Sequence, residues 1–186
     1  TPQGRVKVID YIDFTDEGYV NTKIAAKPEK SSVTIEGRNY NVAGIRTRCG
    51  IFHLGAFEES QLDKDSPIGQ DVNRNGKNDD IFGVLVTDSV LPGIYDTVYV
   101  DTNQNYDFSD EKPLKIYSKD YKWAAFGKDN PMTDYVEESS FVVTCVDING
   151  GFVKLGFDGN GHGTHVAGIV GANGELLGTA PGAQII

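Results

Sequence analysis

Alternation of apolar and polar residues runs through most of the chain and predicts short β-strands. The apolar positions are rich in β-branched and aromatic side chains, which pack well on the face of a sheet. Turn residues separate the alternating runs, as at Gly37, between two strands of a predicted hairpin, and at Pro92-Gly93. The predicted strands in this part of the chain are residues 5–14, 32–36, 39–45, 81–87 and 95–100.

The strongest hairpin signal lies near residue 150. Residues 141–148 and 151–157 alternate on either side of Asn149-Gly150, a dipeptide that favours a tight hairpin turn. By contrast, residues 15–21 are predicted as an acidic turn, and residues 50–60 fit no single pattern.

The pattern changes after residue 160. Small and apolar residues recur at helical spacing over residues 162–172, and residues 177–186 predict a turn that leads into a buried strand. We therefore expect a β-rich module over residues 1–140, followed by the start of an α/β unit over residues 141–186.

Composition and charge narrow the classes of function. The 186 residues are 39% hydrophobic, which is typical of a globular domain. A formal net charge of −10 argues against nucleic acid as a partner, because phosphate binding needs clustered Lys and Arg, and it disfavours anionic membrane surfaces. We also predict no membrane span and no signal peptide, since no long apolar run occurs.

The two cysteines, Cys49 and Cys145, are too few for a disulfide framework. Whether they pair is open from the sequence. Because free cysteine is among the most buried residue types, the sequence favours two buried thiols.

A glycine-rich segment around His162 carries the most specific chemistry. Gly161 and Gly163 remove side chains on both sides of His162, so another backbone can approach the ring closely. A histidine held at the start of a helix can be both rigid and accessible, as a general base requires. The alternatives are an ordinary surface histidine and a metal site with His165, although zinc helices use a different His spacing.

Two motifs resemble the subtilisin-like serine proteases. HGTHVAG at residues 162–168 is similar to the histidine motif of that family, and LGTAPGAQI at residues 177–185 is similar to the segment that follows it. The resemblance implies an α/β fold with a parallel-sheet catalytic domain and a peptide or protein substrate. It also implies that His162 is the general base of a Ser/His/Asp triad and that His165 is structural.

The other parts of a triad are not evident in this sequence. No serine lies in the family's nucleophile context, and the oxyanion-hole asparagine is also missing. Both ends look cut from a longer chain. We therefore expect the chain to supply only the histidine, to be inactive alone, and to need the remaining segments of the same protease as partners.

The position of the triad aspartate is open. Residues 6–13 and 98–103 both resemble the family's aspartate strand, but neither has its glycine. Much of the chain resembles the insertion that large subtilases of the tripeptidyl peptidase II type carry between the aspartate and histidine motifs. That resemblance implies an aspartate before Thr1, with Asp10 and Asp101 as alternatives.

Two acidic loops predict structural calcium sites. Each places oxygen ligands at alternate positions, as in known Ca²⁺ loops, although the first has Phe82 where an EF-hand has Glu and the second has Tyr106 where Gly is usual. Ordinary polar turns are the alternative. If strands 81–87 and 95–100 pair, both loops emerge side by side at one end of the hairpin. The candidate ligands are Asp71, Asn73, Asn75, Asp79, Asp80, Asp101, Asn103, Asn105, Asp107 and Asp110.

Three functions are therefore compatible with the sequence. The first is a serine endopeptidase. The second is an inactive subtilase-like protein, and the third is a calcium-binding β module. Calcium loops would be saturated outside the cell, so secretion is favoured over a cytoplasmic location.

Overall fold

Short strands joined by turns make up most of the structure, a computed structural model that describes residues 1–65, 68–134, 137–157, 159 and 161–186. The strands are β1 (Tyr19–Asn21), β2 (Ile24–Ala26), β3 (Ser32–Ile35), β4 (Arg38–Asn41), β5 (Phe52–Glu58), β6 (Ile81–Thr87), β7 (Thr97–Val100), β8 (Ala124–Phe126), β9 (Ser139–Val146) and β10 (Phe152–Phe157). The α-helices are α1 (Tyr117–Asp120) and α2 (Gly161–Gly171), and 3-10 turns occupy Glu59–Gln61 and Phe108–Asp110.

The described strands form three antiparallel groups. One four-stranded sheet has the order β1-β10-β9-β8, a second has the order β2-β5-β6-β7, and β3 pairs with β4 alone. In the second sheet Leu54 lies opposite Leu85, and Val84 lies opposite Val100. Hairpins connect β3 to β4 and β9 to β10, whereas longer segments join most of the other strands.

The sheet β2-β5-β6-β7 is covered on both faces. Phe57 and Val84 point into a core shared with the other four-stranded sheet, while Leu54 and Leu85 point into a second core under the β3-β4 hairpin. Because successive side chains of a strand point to opposite faces, β6 needs apolar residues at nearly every position. This explains why residues 81–86 are a continuous apolar run with no alternation.

Phenylalanine rings fill the space between the two four-stranded sheets. Phe126 of β8 is fully buried, and its ring centroid lies 4.4 Å from that of Phe82 and 4.6 Å from that of Phe141. Phe57 stacks on Phe126 at 5.5 Å, and Phe157 packs at the edge of the same group. Aromatic contacts of this kind stabilise a core beyond their buried area.

Several predicted elements are confirmed. The hairpin on either side of Gly37 corresponds to β3 and β4, and the hairpin around Asn149-Gly150 corresponds to β9 and β10. β6 has the predicted bounds, and α2 begins one residue before the predicted helix. The ambiguous segment 50–60 contains β5, and the predicted turn 15–21 contains the short strand β1.

Two predicted strands are wrong. Within residues 5–14 only Val8 makes a β-bridge, and within residues 177–186 only Leu177 and Ile185 do so. The bridge between Val8 and Ile185 is parallel. An extended segment becomes a strand only where a neighbour continues the ladder, and here the described residues provide a single step. Residues 177–186 are also largely exposed and not buried as predicted.

The direction of strand pairing also differs from the expected parallel sheet. Every strand pairing in the described residues is antiparallel, so the predicted parallel sheet has no counterpart among them. The predicted boundary near residue 140 falls within β9, and the division into two modules stays a prediction.

Cys49 and Cys145 are both free, but Cys49 is exposed and Cys145 half-buried, so the expectation of two buried thiols is wrong.

The phenylalanine core gives the first testable prediction. Phe126→Ala should lower the free energy of unfolding by about 3–5 kcal/mol, because it leaves a cavity between the sheets. Trp123→Ala is the matched control, since Trp123 is 50% exposed and its loss should cost about 1 kcal/mol or less. Urea unfolding followed by circular dichroism measures both values. Equal losses in the two variants would contradict this description of the core.

Candidate active site

His162 lies in the first turn of α2, which follows β10 closely along the chain. Its side chain is exposed, and so is that of His165, one helical turn further on. A Cβ added at Gly161 or Gly163 would meet no atom of the described residues within 4 Å outside the adjoining chain, so neither glycine position is crowded. This arrangement gives the ring the accessibility that a general base requires.

The segment after α2 caps the end of the helix. The last carbonyls of a helix have no partner within it. Here the amide of Thr179 donates to the Ile169 carbonyl (3.1 Å), and the amide of Ala180 donates to the Val170 carbonyl (2.7 Å). Gly178 is needed because a Cβ there would lie 2.5 Å from the Val170 oxygen. The two sequence motifs are thus parts of one structural unit, a helix and its C-terminal cap.

A cavity of about 600 Å³ lies beside α2. Asp10 and Tyr11 line one wall, and Gly163, Thr164 and Ala167 of the helix line another. The Asp10 carboxylate accepts a hydrogen bond from the amide of Tyr11 at 2.9 Å. The structure therefore brings Asp10, one of the alternative triad aspartates, to the helix that carries the histidine.

The first acidic loop folds around the carboxylate of Asp71. That carboxylate accepts hydrogen bonds from the amides of Asn75 and Gly76, both at 2.9 Å. Across the loop, the side-chain amide of Asn73 donates to Asp80 at 2.9 Å, and that of Asn75 donates to the same carboxylate. Four of the predicted ligands are therefore close together: Asp71, Asn73, Asn75 and Asp80.

The second acidic loop repeats this arrangement thirty residues later (Asp71 to Asp101). The Asp101 carboxylate accepts hydrogen bonds from the amides of Asn105 and Tyr106, both at 3.1 Å. The side-chain amides of Asn105 and Asn103 donate to Asp110 at 2.8 and 3.4 Å. The two loops therefore share one hydrogen-bond pattern.

The repeat extends to the backbone. Gly76 has φ 84°, and Tyr106, at the equivalent position, has φ 62°. Arg74 and Gln104 are also equivalent and also left-handed, with φ 56° and 57°. A side chain at such angles costs conformational energy, so the second loop retains the turn at Tyr106 despite having no glycine there.

A glutamate supports each loop, and the one in the second loop, Glu111, is half-buried. Glu59, fully buried, accepts hydrogen bonds from the amides of Val72 (2.7 Å) and Asp80 (3.1 Å). Glu111 accepts from the amide of Thr102 at 2.7 Å. Burial raises the pKa of Glu59, and it raises the pKa of Glu111 to about 7, although the hydrogen bonds oppose both shifts.

Neither glutamate was among the predicted site residues. Glu111 directly follows Asp110, so the acidic run marks its place, but its spacing differs from that of the loop ligands. Glu59 precedes the first loop by twelve residues (Glu59 to Asp71), and no local pattern connects it to that loop. Only the fold brings it beneath Val72.

The two loops touch, as the predicted pairing of their strands implied. The side-chain amide of Gln104 in the second loop donates to Asp80 in the first at 3.2 Å. Burial raises the pKa of Asp101, which is 1% exposed. Burial acts in the same direction on Asp80, but hydrogen bonds from Asn73, Gln104 and Asn75 outweigh it and lower the pKa of that group.

The carboxylates of two predicted ligands take no part in the hydrogen bonds that hold these clusters. Asp79 is exposed and takes no part in the hydrogen bonds of the first loop. Asp107 instead caps the turn at Phe108–Asp110 and binds the side-chain amide of Asn41 at 2.9 Å. Within the described ranges, no three side chains of His, Cys, Asp or Glu converge as a metal site. Each loop therefore offers two carboxylates together with amide and backbone oxygens.

Comparison with known proteins identifies relatives. The model of the subtilase family matches residues 149–186. Pyrolysin from Pyrococcus furiosus is 33% identical over 197 residues, which cover 91% of this chain and 13% of pyrolysin. The crystal structure of tripeptidyl peptidase 2 matches with a TM-score of 0.66 at 15% identity, covering 100% of this chain and 18% of that protein, and this likeness concerns the fold alone.

The chain thus spans less than a fifth of either relative. No helix in the described part of the chain has the length and apolar character needed to cross a membrane.

Glu111 generates a prediction about pH. Its folded pKa of about 7 lies above the ordinary value of 4.5, so its contribution to stability is fully present below about pH 4.5. That contribution is lost as the pH rises through 7. In the presence of a chelator, Glu111→Gln should therefore reduce the fall in unfolding free energy between pH 4.5 and 7.5.

Glu58→Gln, an exposed substitution on β5, is the control and should leave the slope unchanged. Urea unfolding at a series of pH values gives the slopes. An unchanged slope in Glu111→Gln would show that this carboxyl is not held in a buried environment.

Proposed function

Because this chain belongs to the subtilase family, we propose that the protein containing it hydrolyses peptide bonds and that His162 is the general base. The observation that carries the proposal is the unit formed by α2 and its C-terminal cap, which lies within the matched residues 149–186 and holds His162 exposed in the first turn. His162 takes the proton of a serine hydroxyl and returns it to the leaving amine.

The nucleophile and the oxyanion donor come from other segments of the same protease. Residues 1–186 have no serine in the nucleophile context of the family, so the chain alone is inactive. Those other segments form the rest of a parallel-sheet catalytic domain. The parallel bridge between Val8 and Ile185 supports this fold, because it is a first step of such pairing.

The triad aspartate lies before Thr1 or is Asp10. The resemblance to large subtilases with an insertion favours the first position. The second is supported by the cavity that Asp10 shares with α2. Asp101 is unsuitable, because its carboxylate is 1% exposed and holds the amides of the second acidic loop.

The acidic loops bind structural calcium in this proposal. Each loop gathers two carboxylates and two side-chain amides, all hard oxygen donors that suit Ca²⁺. The cation would neutralise carboxylates that burial and mutual repulsion otherwise disfavour. We assign Asp80 and Asp110 as ligands and leave out Asp79 and Asp107, because the carboxylates of the latter two take no part in the hydrogen bonds of the clusters.

Calcium binding also indicates where in or outside the cell the protein acts. An extracellular site would keep the loops saturated, so we favour a secreted protease that acts on peptides or proteins, with a cytoplasmic enzyme as the alternative. If the longer protein proves inactive, the same fold would serve as a calcium-binding β module.

The role of His162 is tested in the longer protein. His162→Ala should lower kcat for a chromogenic peptide by at least about 100-fold, because the general base is lost, and should leave the thermal unfolding temperature nearly unchanged. His165→Ala, on the next turn of α2, is the control and should retain measurable turnover. Wild-type turnover in His162→Ala would exclude the assigned role.

Calcium binding is tested by thermal unfolding with excess Ca²⁺ and with EDTA. We expect the chelator to lower the unfolding temperature by about 5–10 °C, the shift that corresponds to a ligand at about 100 times its Kd. Asp80→Ala should shrink this difference, and Asp79→Ala should not. Superimposable unfolding curves with and without chelator would remove calcium from the proposal.

A further inference from the structure

Lys7 connects the N-terminal segment to the cap of α2. It is half-buried, and its ammonium group donates hydrogen bonds to the carbonyls of Pro181 (3.0 Å) and Ala183 (2.7 Å). The backbone beside it is paired as well. The amide of Ile185 donates to the Lys7 carbonyl at 2.8 Å, and the amide of Ile9 donates to the Ile185 carbonyl at 2.9 Å. The lysine therefore joins segments more than 170 residues apart in sequence.

The side chain of Lys7 crosses directly beneath the last residue of α2. A Cβ added at Gly171 would lie 3.2 Å from both Cε and Nζ of Lys7. The helix has no basic residue in its own last turn, so Lys7 supplies a positive charge at the end where the helix dipole is negative. Gly171 is buried and provides the space through which the lysine passes.

A continuous set of contacts runs from Lys7 to the histidine. The ammonium group fixes the carbonyls at Pro181 and Ala183, and the residues just before them, Thr179 and Ala180, hold the last carbonyls of α2. His162 lies nine residues before Gly171, about 14 Å along a rigid helix. A tilt of a few degrees at the capped end would therefore move the His162 ring by about 1 Å.

The segment around Lys7 also contacts α1 and β10. The Tyr117 hydroxyl in α1 donates to the Val8 carbonyl at 3.3 Å, and the Tyr11 hydroxyl donates to the carbonyl of Phe157 at the end of β10. The residues around Lys7 are thus fixed to α1 and to the end of β10. Lys7 therefore lies between these contacts and the cap of α2.

We propose that Lys7 is a positioning residue for the reaction, which it serves by fixing the capped end of α2 and hence the orientation of His162. The proposal rests on the proposed role of His162 as general base. Lys7 does not contact the histidine, so it acts through the helix. A misplacement of about 1 Å in a catalytic group can lower the rate by about 100-fold.

The experiment compares Lys7→Ala, Gly171→Ala and the double variant in the longer protein. Lys7→Ala should lower kcat by about 10- to 100-fold and leave KM within about twofold, because orientation and not substrate binding is affected. Gly171→Ala should also lower kcat, by less than Lys7→Ala, since the new methyl group forces the end of the Lys7 side chain to move by a few tenths of an ångström. In the Lys7→Ala background the glycine substitution should add little, because the group that it displaces is absent.

Lys119→Ala, an exposed lysine of α1, is the matched control and should keep wild-type kcat. Hydrogen exchange by mass spectrometry gives a second measurement that needs no activity. Lys7→Ala should speed exchange in peptides covering residues 161–171 and leave β5 and β6 protected, which also shows that the variant is folded.

If the wild-type protein has no peptidase activity, the proposed function fails, and hydrogen exchange alone decides the role of Lys7. Where the wild-type protein is active, wild-type kcat in Lys7→Ala would overturn the proposal, and so would wild-type exchange over residues 161–171. Fully additive losses in the double variant would overturn it as well.

Discussion

Packing of phenylalanine rings between the two four-stranded sheets is the interaction on which the other features depend. Each sheet has an apolar face that is stable only against the other, and Phe126 lies where rings from both sheets meet. This contact fixes β6 and β7, whose ends support the acidic loops, and β10, whose end leads toward α2. Both candidate sites are therefore placed by one core.

Buried charge is the second constraint on this fold. Glu59 and Asp101 are buried and Glu111 is half-buried where they hold backbone amides of the loops, and burial raises the pKa of each. Carboxylates are costly in such positions unless protons, hydrogen bonds or cations offset the charge. The repeated loops thus make the stability of the folded chain depend on pH and, in our proposal, on calcium.

Local signals predicted much of this structure, and contacts between distant residues account for the rest. Asn149-Gly150 is enough to specify the β9-β10 hairpin, and the motif around His162 specifies α2, since both signals lie within a few residues. Residues 5–14 alternate like a strand, yet strand formation depends on neighbours, and only Val8 finds one. Glu59 and Lys7 were missed for the same reason, because their partners lie far away in sequence.

The most direct measurement is reaction of the longer protein with a fluorophosphonate, followed by mass spectrometry to identify the modified residue. A serine becomes reactive toward this reagent only when a general base and an oxyanion site act on it. We expect modification of one serine outside residues 1–186. Modification of a serine within residues 1–186, or of none, would contradict the assignment of this chain as the part of a protease that supplies the histidine.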